Sequence, residues 1–153
     1  MLAPSIASAQ TEIVAPPAPD ADALAAEVRV LATNPTDLNA LLSAGELALK
    51  LGDTTAAAAF FARAERVDPH NGRQRAGFGS VLLALERPGE ALRKFGEAEA
   101  YGYAADHYAA DRGLAFDLVG DQGRAQRDYR LALLRRAGDA EVLRRYALSL
   151  AIS

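Results

Sequence analysis

Apolar residues recur along this chain at the three- and four-residue spacing of a helix face, and no alternating stretch runs long enough for a strand. Eight helices are predicted, over about residues 21–33, 37–51, 54–67, 73–85, 88–101, 106–119, 122–136 and 140–152. The breaks between them carry helix punctuation. Gly52 and Gly120 suit the left-handed residue that closes a helix, and Asp53 and Asp121 just after them suit the N-cap of the next. Pro88 suits a first turn, where its missing N–H costs nothing. Asp37, Asp106 and Asp139 are predicted N-caps, and Gly102 and Gly138 predicted stops. The alanines at 56–59 read as a strong helix former on a close-packed face.

These elements repeat. Gly45, Gly79 and Gly113 are 34 residues apart, and Ala147 continues the series. Ala57, Ala91 and Ala125 keep the same period, as do Phe61, Phe95 and Tyr129, and Ala64, Ala98 and Ala132. Four columns held in one phase over three copies, without an insertion, define a structural unit. Small residues at facing positions let two helix axes approach, so Gly45 and Ala57 mark the crossing of an antiparallel pair, and the aromatics fill the space between neighbouring pairs. Pro35 and Pro69 share a column as well. The helix before Pro35 is therefore expected to be the second half of a unit, capping the stack.

The pattern resembles the tetratricopeptide repeat, whose unit places a small residue at position 8, a large one at 11, Gly at 15, Ala at 20, an aromatic at 24, Ala at 27 and Pro at 32. The copy at 38–71 matches with Gly45, Gly52, Ala57, Phe61, Ala64 and Pro69. The copy at 72–105 keeps Gly79, Leu82, Ala91, Phe95 and Ala98 but has Glu86 and Tyr103 in the Gly and Pro columns. The copy at 106–139 keeps Gly113, Phe116, Gly120, Ala125, Tyr129 and Ala132, with Arg112 at a usually apolar position and Ala137 in place of the Pro. The resemblance covers about residues 21–153. It implies an all-α, right-handed superhelical solenoid of antiparallel helix pairs: a half repeat at 21–36, three full repeats, and the first helix of a truncated repeat at 140–153.

The same resemblance implies a concave groove, lined by the first helix of each pair, that holds a protein or peptide partner. Carried over by position, the groove residues are Asn39, Leu42, Glu46 and Leu49, then Arg73, Ala76, Ser80 and Leu83, then His107, Ala110, Leu114 and Asp117. Chaperone-associated members clamp a C-terminal carboxylate with Lys and Asn; here Leu42 and Glu46 stand at those positions of the first copy, so a chaperone-tail receptor is not expected. The stretches 109–115 and 146–151 look like exported repeat proteins of proteobacteria. These include the repeat component of tight-adherence pilus assembly and repeat proteins that carry a peptidoglycan-binding domain.

The last helix is apolar nearly all round. Leu143, Tyr146 and Leu150 stand where a following helix would pack, and Leu148 and Ile152 add to them. A natural end cap turns a polar face to water. Two expectations follow: the chain is the N-terminal piece of a longer array, or this end docks a partner or a second copy.

Composition narrows the chemistry. The chain has 153 residues, a net charge of -3 and no cysteine, which removes thiolate metal sites and thiol catalysis and disfavours a nucleic acid partner. No apolar run approaches the ~20 residues that span a bilayer. His70 and His107 are the only histidines; Asp111, four residues after His107, offers a lone carboxylate contact but not a ligand set, so no metal or cofactor is expected. Gly77-Phe78-Gly79 opens like a dinucleotide fingerprint, but Leu82 ends the match and the glycines read as packing residues. No catalytic constellation is found, and no enzyme is expected. Arg135, Arg136, Arg144 and Arg145 form the one basic concentration, read either as solvated helix ends or as a site for an acidic peptide tail.

At the N-terminus, Ala7-Ser8-Ala9 before Gln10 fits a signal peptidase site, but the basic start and apolar stretch of a signal do not precede it; residues 1–9 are expected to be a signal remnant, the alternative being an ordinary disordered N-terminus, and 10–20, with Pro16, Pro17 and Pro19, a disordered, extended linker. The expected function is a non-catalytic scaffold in the bacterial envelope or in pilus assembly, periplasmic rather than cytoplasmic. The alternative is the oligomerisation or regulatory arm of a longer protein whose catalytic or peptidoglycan-binding domain lies beyond this chain.

Overall fold

A computed structural model of the chain describes residues 19–153, so the expected signal remnant and most of the linker lie outside the described residues. The helices are α1 (Pro19–Thr33), α2 (Leu38–Lys50), α3 (Thr54–Val67), α4 (Gly72–Ala84), α5 (Pro88–Ala100), α6 (Ala109–Leu118), α7 (Gln122–Arg135) and α8 (Ala140–Ala151). A single 3-10 turn, Ala105–His107, precedes α6, and no strand occurs among the described residues. Helices pack on their sequence neighbours in antiparallel pairs, and α2, α4, α6 and α8 also touch in series to form one side of a solenoid.

The chain turns where its side chains satisfy free backbone groups. Asp37, Asp53, Asp121 and Asp139 accept hydrogen bonds from the backbone N–H of Ala40, Ala56, Arg124 and Val142, at 2.9, 2.8, 2.9 and 3.1 Å. Asn71, not foreseen, caps α4 in the same way through Gln74 N–H. Gly52, Gly102 and Gly120 have φ of 79°, 77° and 84°, the left-handed region that glycine enters without strain. Glu86 occupies the equivalent turn at φ 59°, where a side chain costs about 1–2 kcal/mol. Glu86→Gly is therefore expected to raise stability by about 1 kcal/mol, seen as a higher urea midpoint at unchanged slope.

Three local expectations need correction. Asp106 does not cap α6: it lies inside the 3-10 turn and accepts a hydrogen bond from Arg135 instead, at 3.1 Å. The cause is Tyr108, whose ring stacks flat on Phe95, 5.3 Å between centroids and 5° between planes. Its backbone sits at φ -125°, so the α-helix begins only after it. Gly138 is not a left-handed stop. The chain leaves α7 through an extended Arg136, and Asp139 N–H closes the turn on the Arg136 carbonyl at 3.2 Å, which asks nothing special of Gly138. Finally, α1 starts at Pro19, so the last two residues assigned to the linker form a first turn, with Asp20 and Asp22 facing the positive end of the helix dipole.

The core follows the repeat columns. Ala57, Phe61, Ala64, Ala91, Phe95, Ala98, Ala125 and Tyr129 are wholly buried. A methyl group built on Gly45 would lie 2.7 Å from the Phe61 ring, one on Gly79 2.6 Å from the Phe95 ring, and one on Gly113 2.9 Å from the Tyr129 ring. Each glycine is thus the floor on which its own pair's aromatic lies. Phe61 also covers Gly77 of the following unit so closely that a methyl there would overlap the ring. The next unit has no such glycine, and Phe95 meets the Tyr108 ring in its place. Arg112, at the usually apolar position, is kept by Asp128 in a two-pronged ion pair of 2.7 and 2.8 Å, both side chains largely out of solvent. The hydrogen bond to Asp128 raises the Arg112 pKa further.

Candidate functional site

The serial contact of α2, α4, α6 and α8 produces a hollow face. Its first cavity, about 500 Å³, has Glu46, Leu49 and Lys50 from α2, Arg73, Ala76, Gly77 and Ser80 from α4, and Asp111 from α6. The loop and 3-10 turn before α6 supply Tyr103, His107 and Tyr108, and the end of α7 supplies Arg135 and Arg136. Beside it lies a second cavity of about 400 Å³ between α6, α7 and α8, with Leu114, Asp117, Leu118, Leu148 and Ile152 on its walls.

Polar rungs tie successive helices across this face. Arg73 donates from Nε and Nη2 to both carboxylate oxygens of Glu46, at 2.7 and 2.8 Å, joining α4 to α2. This hydrogen bonding holds the Arg73 pKa above its usual value. Ser80 Oγ donates to Asp111 Oδ2 at 2.6 Å, joining α4 to α6. Asp117 accepts from Ser149 Oγ at 2.6 Å and from the Tyr129 hydroxyl at 2.8 Å, joining α6 to α8 and α7. Burial first, then the bond to Asp117, pushes the Tyr129 phenol well above its usual pKa, so it stays protonated and donating.

One wall is aromatic. Tyr103 stacks on His107 at 4.8 Å and on Tyr108 at 5.8 Å. Burial, with the Glu46 carboxylate second, raises the Tyr103 pKa. Arg135 reaches this wall, donating to Asp106 and lying 3.3 Å from His107 Nε2. The first cavity therefore gathers four cations in a chain of net charge -3, each with a carboxylate near it: Arg73 with Glu46 and Arg135 with Asp106 closely, Lys50 with Asp20 and Arg136 with Asp139 loosely, at 3.9 Å each.

The expected groove residues divide. Glu46, Leu49, Arg73, Ala76, Ser80 and His107 line the first cavity; Leu83 and Leu114 line the hollow next to it; Leu114 and Asp117 line the second cavity. Leu42 does not line the groove. It is 2% exposed and packs in the core around Phe61, because α2 is enclosed by α1, α3 and α4 together. Ala110 packs half-buried against the core around Tyr129, and Asn39 is exposed but lines none of these hollows. The position rule missed Lys50, Tyr103, Tyr108, Asp111, Arg135 and Arg136. A signal existed for two kinds of these: Tyr103 stands in the Pro column, and Arg135 and Arg136 belong to the basic concentration. That concentration is split, since Arg144 and Arg145 line the second cavity.

The apolar end also divides. Leu148 and Ile152 line the second cavity, on the hollow face. Tyr146 is half-buried with its ring 6.2 Å from that of Tyr129. Leu143 and Leu150 are 45% and 50% exposed. Among the described residues, no group of three or more His, Asp or Glu is placed to hold a metal ion, and no helix is long and apolar enough to cross a membrane.

No family model matches the chain, and no curated protein matches it. Solved structures do. The chain is similar to TTC0263, a thermophilic tetratricopeptide-repeat protein in Thermus thermophilus, with TM-score 0.67 and 21% identity over 86% of this chain and 73% of that one. It is similar to PilW, a type IV pilus biogenesis factor, with TM-score 0.71 and 20% identity over 87% of this chain and 62% of that one. YrrB, a repeat protein with an unusual peptide-binding site, gives TM-score 0.58 and 21% identity over 87% and 69%. The fold is that of the tetratricopeptide-repeat proteins. These likenesses lend no support to the alternative of a regulatory arm on a longer protein.

Proposed function

We propose that this tetratricopeptide-repeat solenoid is a non-catalytic scaffold that holds an acidic segment of a partner protein in the cavity between α2, α4, the 3-10 turn and the end of α7. The carrying observation is the gathering of Lys50, Arg73, Arg135 and Arg136 around one hollow, beside the Tyr103–His107 stack, on an otherwise acidic chain. Facing charges of this kind steer encounter and select partners. The aromatic wall offers a flat apolar surface for a side chain between the charges. YrrB, with its peptide-binding site, supports a peptide as occupant.

The finer reading is a role in the bacterial envelope, in pilus assembly. It draws on the likeness in fold to PilW and on the small-residue pattern at residues 7–9. Affinity capture from separate periplasmic and cytosolic extracts tests it, and recovery of cytosolic partners alone would sink it.

The groove itself is tested with labelled acidic and basic peptides by fluorescence anisotropy. Acidic peptides are expected to bind, more weakly as salt screens the charges. Arg136→Glu with Lys50→Glu is expected to weaken that binding at least ~10-fold, or about 1.4 kcal/mol, without loss of helicity, because both side chains are mostly in solvent. Equal binding of basic peptides would refute the electrostatic reading.

A further inference from the structure

The cations of the hollow face each have a carboxylate near them; a second set of arginines stands on the opposite side of the solenoid without one. α3, α5 and α7 bury the Ala, aromatic and Ala columns of their units. With about 3.6 residues per turn, the positions pointing directly away from those columns are 55, 59, 62 and 66, then 89, 93, 96 and 100, then 123, 127, 130 and 134. None of these is Asp or Glu, in a chain that has 20 such residues. Four are arginine: Arg66 on α3, Arg93 on α5, and Arg127 and Arg130 on α7. All four are exposed, and among the described residues no hydrogen bond or ion pair ties any of them to a carboxylate, whereas Arg87 and Arg124, at the starts of α5 and α7, are held by Glu90 and Asp121. The remaining positions are Gly, Ala or Thr, with one exception. Leu134 follows Arg130 by one turn on the same side of α7 and, at 85% exposed, is the most accessible large apolar side chain among the described residues.

The shape of this face narrows what it fits. First helices touch in series and second helices make no comparable contact, so α3, α5 and α7 lie on the outside of the curve. Their small outward residues build no cleft for a peptide, and the arginines stand up from them as isolated charges. A guanidinium with no fixed partner is free to meet a phosphate wherever one lies, which suits a fluid array of headgroups. A leucine projecting beside two arginines on one helix face is also how interfacial helices meet a bilayer, charge at the headgroups and apolar side chain at the acyl boundary.

We propose that this outer face seats the solenoid on an anionic phospholipid bilayer, with Arg66, Arg93, Arg127 and Arg130 at the phosphates and Leu134 at the edge of the acyl region, and with the hollow face turned to water. Such attachment is peripheral and reversible, because each basic residue near an anionic surface multiplies partitioning only about 5-fold. A chain of net charge -3 has no general attraction to that surface, so attachment depends on the local absence of carboxylates. The inference rests on the outer face and stands apart from the groove reading.

Flotation of the whole chain with vesicles of phosphatidylglycerol and phosphatidylcholine in equal parts, at several millimolar lipid, tests it. The chain is expected to float with these vesicles at about 50 mM salt, to be released at about 500 mM, where the Debye length is about threefold shorter, and to stay behind with phosphatidylcholine alone. Arg127→Gln with Arg130→Gln should weaken partitioning ~25-fold at parental circular dichroism, since both side chains are exposed. Arg66→Gln with Arg93→Gln provides a second pair should the first fail to fold. The chain has no tryptophan, so Leu134→Trp places a single fluorophore on the outer face. Its emission should move to the blue with the anionic vesicles, while that of Leu83→Trp, on the hollow side, should not. Equal flotation with neutral vesicles, no flotation at low salt, or anionic binding that both arginine pairs leave unchanged overturns the proposal. So does a shift at 83 without one at 134, or binding of soluble polyglutamate through these arginines while the vesicles stay free, which would assign the face to an acidic protein.

Discussion

Gly79→Leu is expected to unfold the array. The first added atom would lie 2.6 Å from the wholly buried Phe95 ring, and three more carbons would follow it into the crossing of α4 and α5. Overpacking a rigid core costs ~1–3 kcal/mol when the surroundings can shift. Here the ring is also held by the flat stack with Tyr108, so the loss should exceed ~4 kcal/mol, a large share of the ~5–15 kcal/mol that holds a folded domain together. Far-ultraviolet circular dichroism under urea reads it directly. The graded version is a cycle: Gly79→Ala and Phe95→Leu each destabilise, and together they should cost at least ~1 kcal/mol less than their sum, because the smaller side chain makes room for the methyl. Strict additivity would show that the ring does not lie on Gly79.

The second large effect belongs to Asp128. Its carboxylate is 8% exposed and takes both prongs of Arg112. Asp128→Ala leaves a buried guanidinium with the exposed Glu99 at 3.3 Å and the face of the Tyr108 ring as its remaining company. Breaking a buried pair from one side costs ~3–5 kcal/mol, while replacing both members by apolar residues is often neutral. Asp128→Ala is thus expected to lose about 3 kcal/mol in urea unfolding, and Arg112→Leu with Asp128→Leu to recover most of it. A loss below ~1 kcal/mol for the single variant would mean that the guanidinium finds water on release.

Both effects bear on what could be read before the structure. Gly45, Gly79 and Gly113 could be assigned because steric columns repeat: one residue type is required at one place in every unit, and the 34-residue period displays it. Asp37, Asp53, Asp121 and Asp139 were legible for the related reason that a cap acts within three residues of itself. Asp106 was misread because a distant stack, Phe95 on Tyr108, overrode the local signal. Arg112 read as a defect, since its compensation by Asp128 is an exchange between two helices that single positions do not show.

The groove was legible only in part for a geometric reason. Counting positions within a helix finds residues that project from first helices, which placed Arg73, Ser80 and His107 on the hollow face. It cannot find what loops and helix ends contribute, such as Tyr103, Arg135 and Arg136. Nor can it tell that Leu42 is enclosed: Leu42→Glu would act on folding rather than on ligand affinity.

The way consecutive units are joined has a mechanical consequence. Phe61 lies against glycine backbone in two units at once, so α2, α3 and α4 cannot slide without driving a ring into main chain, and they form a stiff block. At the next joint two flat rings, Phe95 and Tyr108, meet face to face, and parallel faces can shear. Flexure of the solenoid is expected to concentrate at this joint, to be seen as faster amide hydrogen exchange around residues 101–108 than in α3 and α4. The first cavity straddles it, with Glu46 and Arg73 on the stiff side and Tyr103, His107 and Arg135 on the other. On the proposed reading its width is the coordinate along which the molecule would give, and an occupant that spanned it would act as a splint.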